Sequence, residues 1–436
     1  MLKPILWPVL APSLLFAVGL GAILPILVLG ALSLGSTASF AAAIVGIMGA
    51  VSLIATVPAG LLIDRLGDFR AMLVATITAV VVLAAIVAAF VWDSPYSLIV
   101  YTLALMLFAP VSDVWSLARQ AVVAEVMPAA DLAKAMTALG GSQRVGNLVG
   151  PIVGAGLMLV FPIWSVFVFA AAAAITAVIV MALPIARIPD YPGGTGARNA
   201  PATGASESTG LSESTGAHDD TRAEAGLGNV DNGKSRAGKP HRAPLDVRWK
   251  PVVLAGISII ALTVARSAQP VVIQLWGVEI GLHESSISLL IAFGAALELV
   301  FMFLGAYIKD HLGRVTTLAT CLTIFGSGFI VMVALPHMAG MIAAAAIMAV
   351  GNGLGAGVNM TIGADLSPAI GRARFLGIWA IFSNGGKLGG PALISLLITI
   401  ASLRFGVLFA GIFPILGAVW AIIWSSQIGL PSRRRR

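Results

Sequence analysis

The chain has 436 residues, of which 58% are hydrophobic and only 10% are charged. Soluble domains carry about 25% charged residues, so the composition excludes a soluble enzyme and a nucleic-acid-binding domain. The formal net charge of +7 does not indicate nucleic acid, because 17 of the charged residues fall between positions 187 and 250. The single cysteine, Cys321, excludes a disulfide framework and a cysteine-built metal site. We therefore predict an integral membrane protein surrounded by the lipid bilayer.

Twelve segments are long and apolar enough to cross a bilayer, which takes roughly 20 apolar residues in a helix. In chain order the predicted spans are 7–34, 40–63, 71–92, 97–118, 137–161, 164–185, 251–277, 287–308, 315–335, 338–362, 375–400 and 405–428. They lack the alternating pattern of outer-membrane barrel strands. The first span is also too long for a signal peptide. The fold class is therefore an all-α membrane protein with twelve transmembrane helices.

The positions of lysine and arginine predict the orientation, because cytoplasmic loops of membrane proteins are enriched in both. If both termini lie inside the cell, 22 of the 26 basic residues are cytoplasmic and only Arg404 lies outside. The remaining three, Arg144, Arg266 and Lys387, fall within spans. The opposite orientation would reverse this bias, so we expect both termini to be cytoplasmic.

A segment between the sixth and seventh spans divides the chain. Residues 187–250 are rich in Gly, Ser, Thr and Pro, and repeat Ser-Glu-Ser-Thr-Gly at 206–210 and 212–216. Such a segment cannot bury apolar surface, so we predict a disordered cytoplasmic linker. It separates a six-helix half, residues 1–186, from a second six-helix half, residues 251–428. A basic cytoplasmic tail, residues 429–436, follows.

The two halves share glycine, proline and charged positions in register. Three positions of the fifth span match three of the eleventh at an offset of 240 residues: Gly146, Gly150 and Pro151 with Gly386, Gly390 and Pro391. The sequence from Asp64 to Gly67 matches that from Asp310 to Gly313 at an offset of 246. Transporters built from parallel repeats show such internal symmetry, and their substrate site lies near the membrane midplane between the halves.

The loop after the second span reads Gly60-Leu-Leu-Ile-Asp64-Arg65-Leu-Gly67-Asp68-Phe-Arg70, which resembles the signature of the major facilitator superfamily. A shorter second copy reads Asp310-His-Leu-Gly313-Arg314. The resemblance implies the fold of that superfamily and a conformational latch of ion pairs that forms in one transport state, with Asp113 as a further partner. The chain departs from the pattern at Asp68, where the family usually has a basic residue. Alternatively, these charges only anchor a cytoplasmic loop.

The fifth span carries Gly146-x3-Gly150-Pro151-x2-Gly154, which resembles the motif of superfamily members that exchange substrate for protons. This resemblance implies a bacterial twelve-helix drug or metabolite:proton antiporter in the inner, or plasma, membrane. The alternative is plain helix packing, because small residues four apart let two helices approach closely.

Ionisable side chains within spans are costly and usually functional. Glu298 is the only carboxylate near the middle of a predicted span, so we predict that it carries the coupling proton. The alternative is a static pair between Glu298 and one cation of the spans. The predicted lining of the substrate cavity consists of Arg144, Arg266, Lys387, Gln269 and Asn384. Because cations outnumber the central carboxylate, an anionic or zwitterionic substrate is favoured over a lipophilic cation.

The sequence therefore predicts a secondary active transporter that exports a drug-like or small organic compound by alternating access, driven by protons. A proton-coupled importer of a small organic anion or nutrient is the alternative. The sequence has no His-Glu-x-x-His, no serine-centred motif and no nucleotide-binding signature, so we expect no enzymatic activity and no cofactor or metal. The expected partners are lipid, protons and a small-molecule substrate, without nucleic acid, and the expected state is a monomer.

Overall fold

A computed structural model of the chain describes residues 5–92, 94–186, 247–368 and 372–430. Within these ranges, the side chains of residues 129, 130, 133, 303, 305–312 and 372–374 lie outside the description. The predicted linker and basic tail fall almost wholly on the residues that are not described.

Twelve long helices account for nearly all of the described chain, which contains no strand. They are α1 Leu6–Ser33, α2 Ala38–Leu66, α3 Asp68–Val91, α4 Ser97–Val126, α5 Ala129–Met158, α6 Trp164–Ala182, α7 Trp249–Glu279, α8 Glu284–Leu312, α9 Arg314–Ala334, α10 Met338–Leu366, α11 Arg372–Ile400 and α12 Leu403–Ile423. A single turn, Ser425–Ile428, follows α12. The predicted all-α fold with two sets of six helices is confirmed.

Ten of the twelve helices are apolar enough over their length to be membrane spans, and the two exceptions are α5 and α11. These exceptions occupy equivalent places in the two halves. Each contains glycines and carries a cation within the span, Arg144 in α5 and Lys387 in α11. Polar, glycine-rich helices are expected where a membrane helix faces protein or an aqueous cavity rather than lipid.

Several helices extend well beyond the predicted spans. The predicted fourth span ends at position 118, but α4 continues to Val126, and α5 begins eight residues before the predicted start at 137. A helix of 30 residues is about 45 Å long, whereas the hydrocarbon core is about 30 Å thick. The extensions are polar helix ends that hydropathy alone does not detect.

The internal repeat is present in the packing as well as in the sequence. Gly146 of α5 lies against the backbone of Ala17 in α1, and a Cβ at this glycine would collide with it. The equivalent glycine of α11, Gly386, lies against the side chain of Thr263 in α7, and a Cβ at this glycine would also collide. Ala17 and Thr263 are 246 positions apart, which is the offset that also relates the two loop signatures. The α1–α5 contact of the first half is therefore duplicated as the α7–α11 contact of the second.

The two halves contact each other at the end of the bundle that is predicted to face outward. The Val28 amide in α1 donates to the Gln274 side chain in α7 at 3.0 Å. The Ser395 hydroxyl in α11 donates to the backbone oxygen of Ser39 in α2 at 2.8 Å. These hydrogen bonds join the halves across the outer end of the molecule.

At the opposite end, the halves are apart. Between positions 50 and 66 of α2, only Ala59 and Ile63 are buried, and Ile54 and Val57 are 75% and 71% exposed. A helix that is exposed on most faces has lipid on one side and an opening on the other. The structure is therefore open toward the predicted cytoplasmic side.

Candidate functional site

A cavity of about 190 Å³ lies between the two halves, at the middle of the bundle. The first half contributes α1 and α5, with Asn147 and Pro151 in the wall. The second half contributes α7, α8 and α10, with Gln269 and Glu298 in the wall. The cavity therefore has the location expected of a substrate site in a two-repeat transporter.

Glu298 faces this cavity from α8 and is half-buried. Its carboxylate accepts a 2.6 Å hydrogen bond from the Asn352 side chain of α10. Arg266 of α7 reaches the same residue from the other side, because its Nη2 donates to the Asn352 backbone oxygen at 3.2 Å. Within the described part of the chain, Glu298 makes no direct ion pair. Arg266 and Glu298 thus share Asn352 as a common neighbour.

The polar residue that the first half contributes to the cavity, Asn147 of α5, is linked by hydrogen bonds to α4. The Gln143 amide donates to the Asn147 side chain at 3.3 Å, and Asn147 lines the cavity. Gln143 also accepts a 3.1 Å hydrogen bond from Nη2 of Arg119 in α4. A hydrogen-bonded chain therefore runs from a buried guanidinium to the cavity surface.

Arg119 is a functional candidate that the sequence analysis assigned to a cytoplasmic loop. Its side chain is only 6% exposed, and its guanidinium carbon lies 4.4 Å from the centre of the Trp115 ring. Its Nε and Nη1 atoms are buried without a hydrogen-bond partner. The predicted span ended one residue before Arg119, so the cation was overlooked. The i, i+4 spacing from Trp115, which favours contact on one helix face, was the available signal.

Asp113 and Lys387 approach each other across the two halves. The Ser52 hydroxyl of α2 donates to the Asp113 carboxylate in α4. Lys387 of α11 is close enough to act on the same carboxylate electrostatically, although the two form no direct ion pair in the described chain. Asp113 lies in the middle of α4 and lines a neighbouring cavity of about 260 Å³. From the sequence, Asp113 was expected to be a partner in the latch; the structure places it beside the central cavity.

The other predicted cavity residues have mixed surroundings. Gln269 lines the central cavity, and Arg144 is exposed on α5, one helical turn from Asn147. Asn384 is half-buried on α11 and does not line the central cavity. Next to Asn384 in the chain, the Ser383 hydroxyl of α11 accepts a 2.6 Å hydrogen bond from the Asn359 side chain of α10. The structure thus brings Glu298, Gln269 and Asn147 together around one cavity.

The predicted motif of the fifth span is a packing surface on one face and a cavity wall on another. Gly150, like Gly146, lies against the α1 backbone, and Gly154 contacts Ala22 more loosely. The backbone oxygen of Pro151 accepts a 2.8 Å hydrogen bond from the Ser288 hydroxyl of α8. In α11, Gly390 repeats the contact on α7 and Pro391 is buried. The motif therefore holds α5 against both halves at the cavity.

The two loop signatures have the same backbone but different charges. Gly67 and Gly313 adopt φ values of 82° and 91°, a region that favours glycine, and each ends one helix and starts the next. In the second loop Arg314 forms an ion pair with Asp365 at 3.1 Å. The predicted latch residues of the first loop are exposed, namely Asp64, Arg65 and Arg70, with Gly60 half-buried on α2. The side chain of Asp310 lies outside the described part.

The sequence matches the family model of the Major Facilitator Superfamily over residues 6–245 and 254–434, which is most of the chain. No curated protein matches it in sequence.

Solved structures share the fold at low sequence identity. A peptide transporter POT in complex with sulfate has a TM-score of 0.72 and 13% identity over 98% of this chain and 95% of its own. A POT family transporter in complex with 5-aminolevulinic acid has a TM-score of 0.71 and 11% identity, covering 96% and 95%. A bacterial metal transporter has a TM-score of 0.66 and 15% identity, covering 96% and 97%. At this identity the likeness concerns the fold alone.

Proposed function

The chain belongs to the major facilitator superfamily and is a membrane transporter, and from this premise we propose that it exports a small anionic or zwitterionic organic compound in exchange for protons. Transport proceeds by alternating access, as the two halves rock about the central cavity. The site of action is the bacterial inner membrane. The proposal needs no bound cofactor, because the proton gradient supplies the driving force.

One observation carries this proposal, namely the Glu298 carboxylate in a cavity wall to which both halves contribute. A carboxylate there is reached by protons from whichever side is open. It also attracts a cationic group of a substrate, such as the ammonium of a zwitterion. Because a proton and an ammonium compete for the same carboxylate, binding of one favours release of the other. Competition of this kind produces exchange.

The remaining polar groups support an anionic or zwitterionic substrate. Arg266 approaches the Glu298 side of the cavity, and Arg144 lies one turn from Asn147 on the other side. A zwitterion can place its positive end at Glu298 and its negative end toward either arginine. A lipophilic cation gains nothing from the arginines and is repelled by them.

The proposed exchange is tested with inside-out vesicles that carry an imposed proton gradient. We expect a substrate from a panel of drugs and organic anions to collapse the gradient, as followed with a pH-sensitive dye. Glu298→Gln should abolish this response, while substrate binding persists more weakly because the ammonium of the substrate loses its charged partner. The matched control is Glu279→Gln, which makes the same change at the exposed end of α7. Full coupled exchange in Glu298→Gln would refute the assignment.

A proton-coupled importer is the second candidate, and the proximity of Asp113 to Lys387 favours it. Lys387 lies close enough to the Asp113 carboxylate for the two charges to attract each other. Protonation of Asp113 would release Lys387 to bind the anionic group of a substrate. In this arrangement the proton and the substrate favour each other's binding, which produces transport in the same direction.

The two candidates make opposite predictions for one measurement. If the Glu298 site couples transport, raising the proton concentration on the substrate side weakens substrate binding. If the Asp113 site couples transport, the same change strengthens binding. Substrate affinity measured across a pH series, in the wild type and in Asp113→Asn and Glu298→Gln, therefore distinguishes exchange from co-transport.

A further inference from the structure

The first helix is interrupted where it passes the central cavity. The α-helical pattern of α1 ends at Ile23, a single 3₁₀ turn follows at Leu24–Ile26, and the α-helix resumes at Leu27. Pro25 lies within this turn and has no amide hydrogen to donate. Leu24 lines the central cavity, so the interruption belongs to the cavity wall.

One side chain from the other half fills this interruption. In a continuous α-helix the Val28 amide would donate to the Leu24 oxygen, four residues earlier. Here the Val28 amide donates to Oε1 of Gln274 in α7 at 3.0 Å, and Nε2 of Gln274 donates to the Leu24 oxygen at 3.1 Å. The side-chain amide of Gln274 is therefore inserted between two groups of the α1 backbone that would otherwise bond to each other.

The inserted amide is buried, and both of its ends are hydrogen-bonded. Gln274 is only 1% exposed, and its Nε2 also donates to the Pro270 oxygen of its own helix at 3.0 Å. A buried amide without partners is costly, so Gln274 favours this arrangement only while α1 stays in contact. Pro270 lines the central cavity, as Leu24 does. The contact therefore joins the two halves at the cavity wall itself.

The position of the contact within the repeat makes it sensitive to the separation of the halves. Val28 and Gln274 are 246 positions apart, as are Leu24 and Pro270, and this offset also relates the two loop signatures. Equivalent residues of parallel repeats that touch each other lie beside the axis that relates the halves. α1 and α7 therefore meet at this axis, and opening of the outer end would pull Gln274 away from α1.

We propose that Gln274 is a lock for the outer end of the transporter, which works by exchanging hydrogen bonds with α1. With the amide inserted, α1 is interrupted and the halves are held together at the outer end. When the amide withdraws, the Val28 amide and the Leu24 oxygen pair with each other, so α1 keeps its backbone hydrogen bonds as it becomes continuous. The lock rests on the alternating access of the proposed function, but on neither the direction of transport nor the substrate.

Access to the central cavity from each side of the membrane tests the lock. The reporter is Ala295→Cys, at a position that lines the cavity, and it reacts with a membrane-impermeant maleimide in right-side-out or inside-out vesicles. The native Cys321 is completely buried and does not compete. Gln274→Leu should make labelling from the outside about tenfold faster, because the hydrogen bonds to Val28 and Leu24 are lost.

The matched control is Gln120→Leu, at an exposed glutamine of α4 that is bonded to its own helix, and it should leave the labelling rate unchanged. Equal, measurable labelling from the outside in wild type and Gln274→Leu would overturn the lock and leave alternating access intact. No labelling from the outside in any variant would overturn alternating access, and the lock with it.

A second variant distinguishes a hydrogen-bonding lock from plain packing. Gln274→Glu keeps the side-chain length, and its protonated form can still donate to Leu24 and accept from Val28, whereas its ionised form cannot donate. Labelling of this variant from the outside should therefore rise with pH, while Gln274→Leu should label rapidly at every pH. Glu298 shares the cavity and titrates in all variants, so each rate is divided by the wild-type rate at the same pH. A ratio independent of pH in Gln274→Glu would overturn the exchange of hydrogen bonds.

Discussion

The two halves of the molecule have the same packing but distribute their charges differently. At an offset of 240 residues, Arg119 and Gln143 of the first half correspond to Asn359 and Ser383 of the second, and each pair is hydrogen bonded between equivalent helices. The two halves thus have a hydrogen bond at the same place, but the side chains that form it differ in charge. A buried cation in one half is matched by a neutral amide in the other.

Each half also has one carboxylate in an equivalent contact between two helices, but the carboxylate lies on a different helix of the pair in each half. Glu298 of α8 is bonded to Asn352 of α10, and the equivalent helices α2 and α4 bring Ser52 to Asp113. Ser52 occupies the position of Glu298 at an offset of 246. The α2–α4 contact therefore has its carboxylate on α4, whereas the equivalent α8–α10 contact has its carboxylate on α8, the counterpart of α2.

The cations near these two carboxylates belong to different halves of the molecule relative to their carboxylate, and this difference has a functional consequence. Arg266 belongs to the same half as Glu298, so the proposed rocking of the halves would change their separation little. Lys387 belongs to the half opposite Asp113, so the proposed rocking motion would change their separation in every transport cycle. The Glu298 site is thus suited to binding, and the Asp113 site to sensing the state of the transporter.

The largest expected effect concerns the packing that the halves share. Gly150→Val and Gly390→Val should each destabilise the protein by about 3 kcal/mol or more, because a side chain would overlap the backbone of the neighbouring helix. Gly156→Val, in the same helix as Gly150 with open space around it, is the control. Thermal unfolding in detergent measures the difference. A small loss in only one of the two variants would show that the halves are not packed equivalently.

The next prediction isolates the charge pair that crosses the halves. Asp113→Asn and Lys387→Met should each reduce the transport rate about tenfold, corresponding to about 1.4 kcal/mol. The double variant should be no slower than either single variant, because the interaction is already lost. Transport rates in proteoliposomes give the coupling. Simple multiplication of the two single effects would mean that the residues act independently.

The third prediction uses the opposite environments of Arg119 and Asn359. Arg119→Met should raise stability by about 1 kcal/mol, because a buried cation with unpartnered nitrogens is replaced by an apolar side chain. Asn359→Met should lower it by about 1 kcal/mol, because Asn359 bonds both Ser383 and Trp379. Thermal unfolding measures both changes. If both variants lose stability, Arg119 has a structural role that its unpartnered atoms do not reveal.

The twelve helices could be predicted from the sequence, because each contains a long apolar segment. The two halves and the family could be predicted as well, because glycine positions recur at a fixed offset. The sequence also located Glu298 and Gln269 at the cavity. It missed Arg119, because hydropathy ends a span where polar residues begin although the helix continues. It could not find the proximity of Asp113 to Lys387, since contacts between halves depend on helix rotation and on the state of the transporter, which no local pattern specifies.

The smallest expected effect concerns the two loops with equivalent backbones. Arg314 and Asp365 are each about one quarter exposed, at 23% and 26%, so their ion pair contributes less than about 1 kcal/mol to stability. If it acts as a latch, Arg314→Gln should change the transport rate about threefold with little change in unfolding temperature. Arg404→Gln is the control, since Arg404 is an exposed cation at the start of α12 and makes no ion pair with another described residue. A double-mutant cycle with Asp365→Asn separates a latch, which gives coupled effects on rate, from a loop anchor, which leaves the rate unchanged.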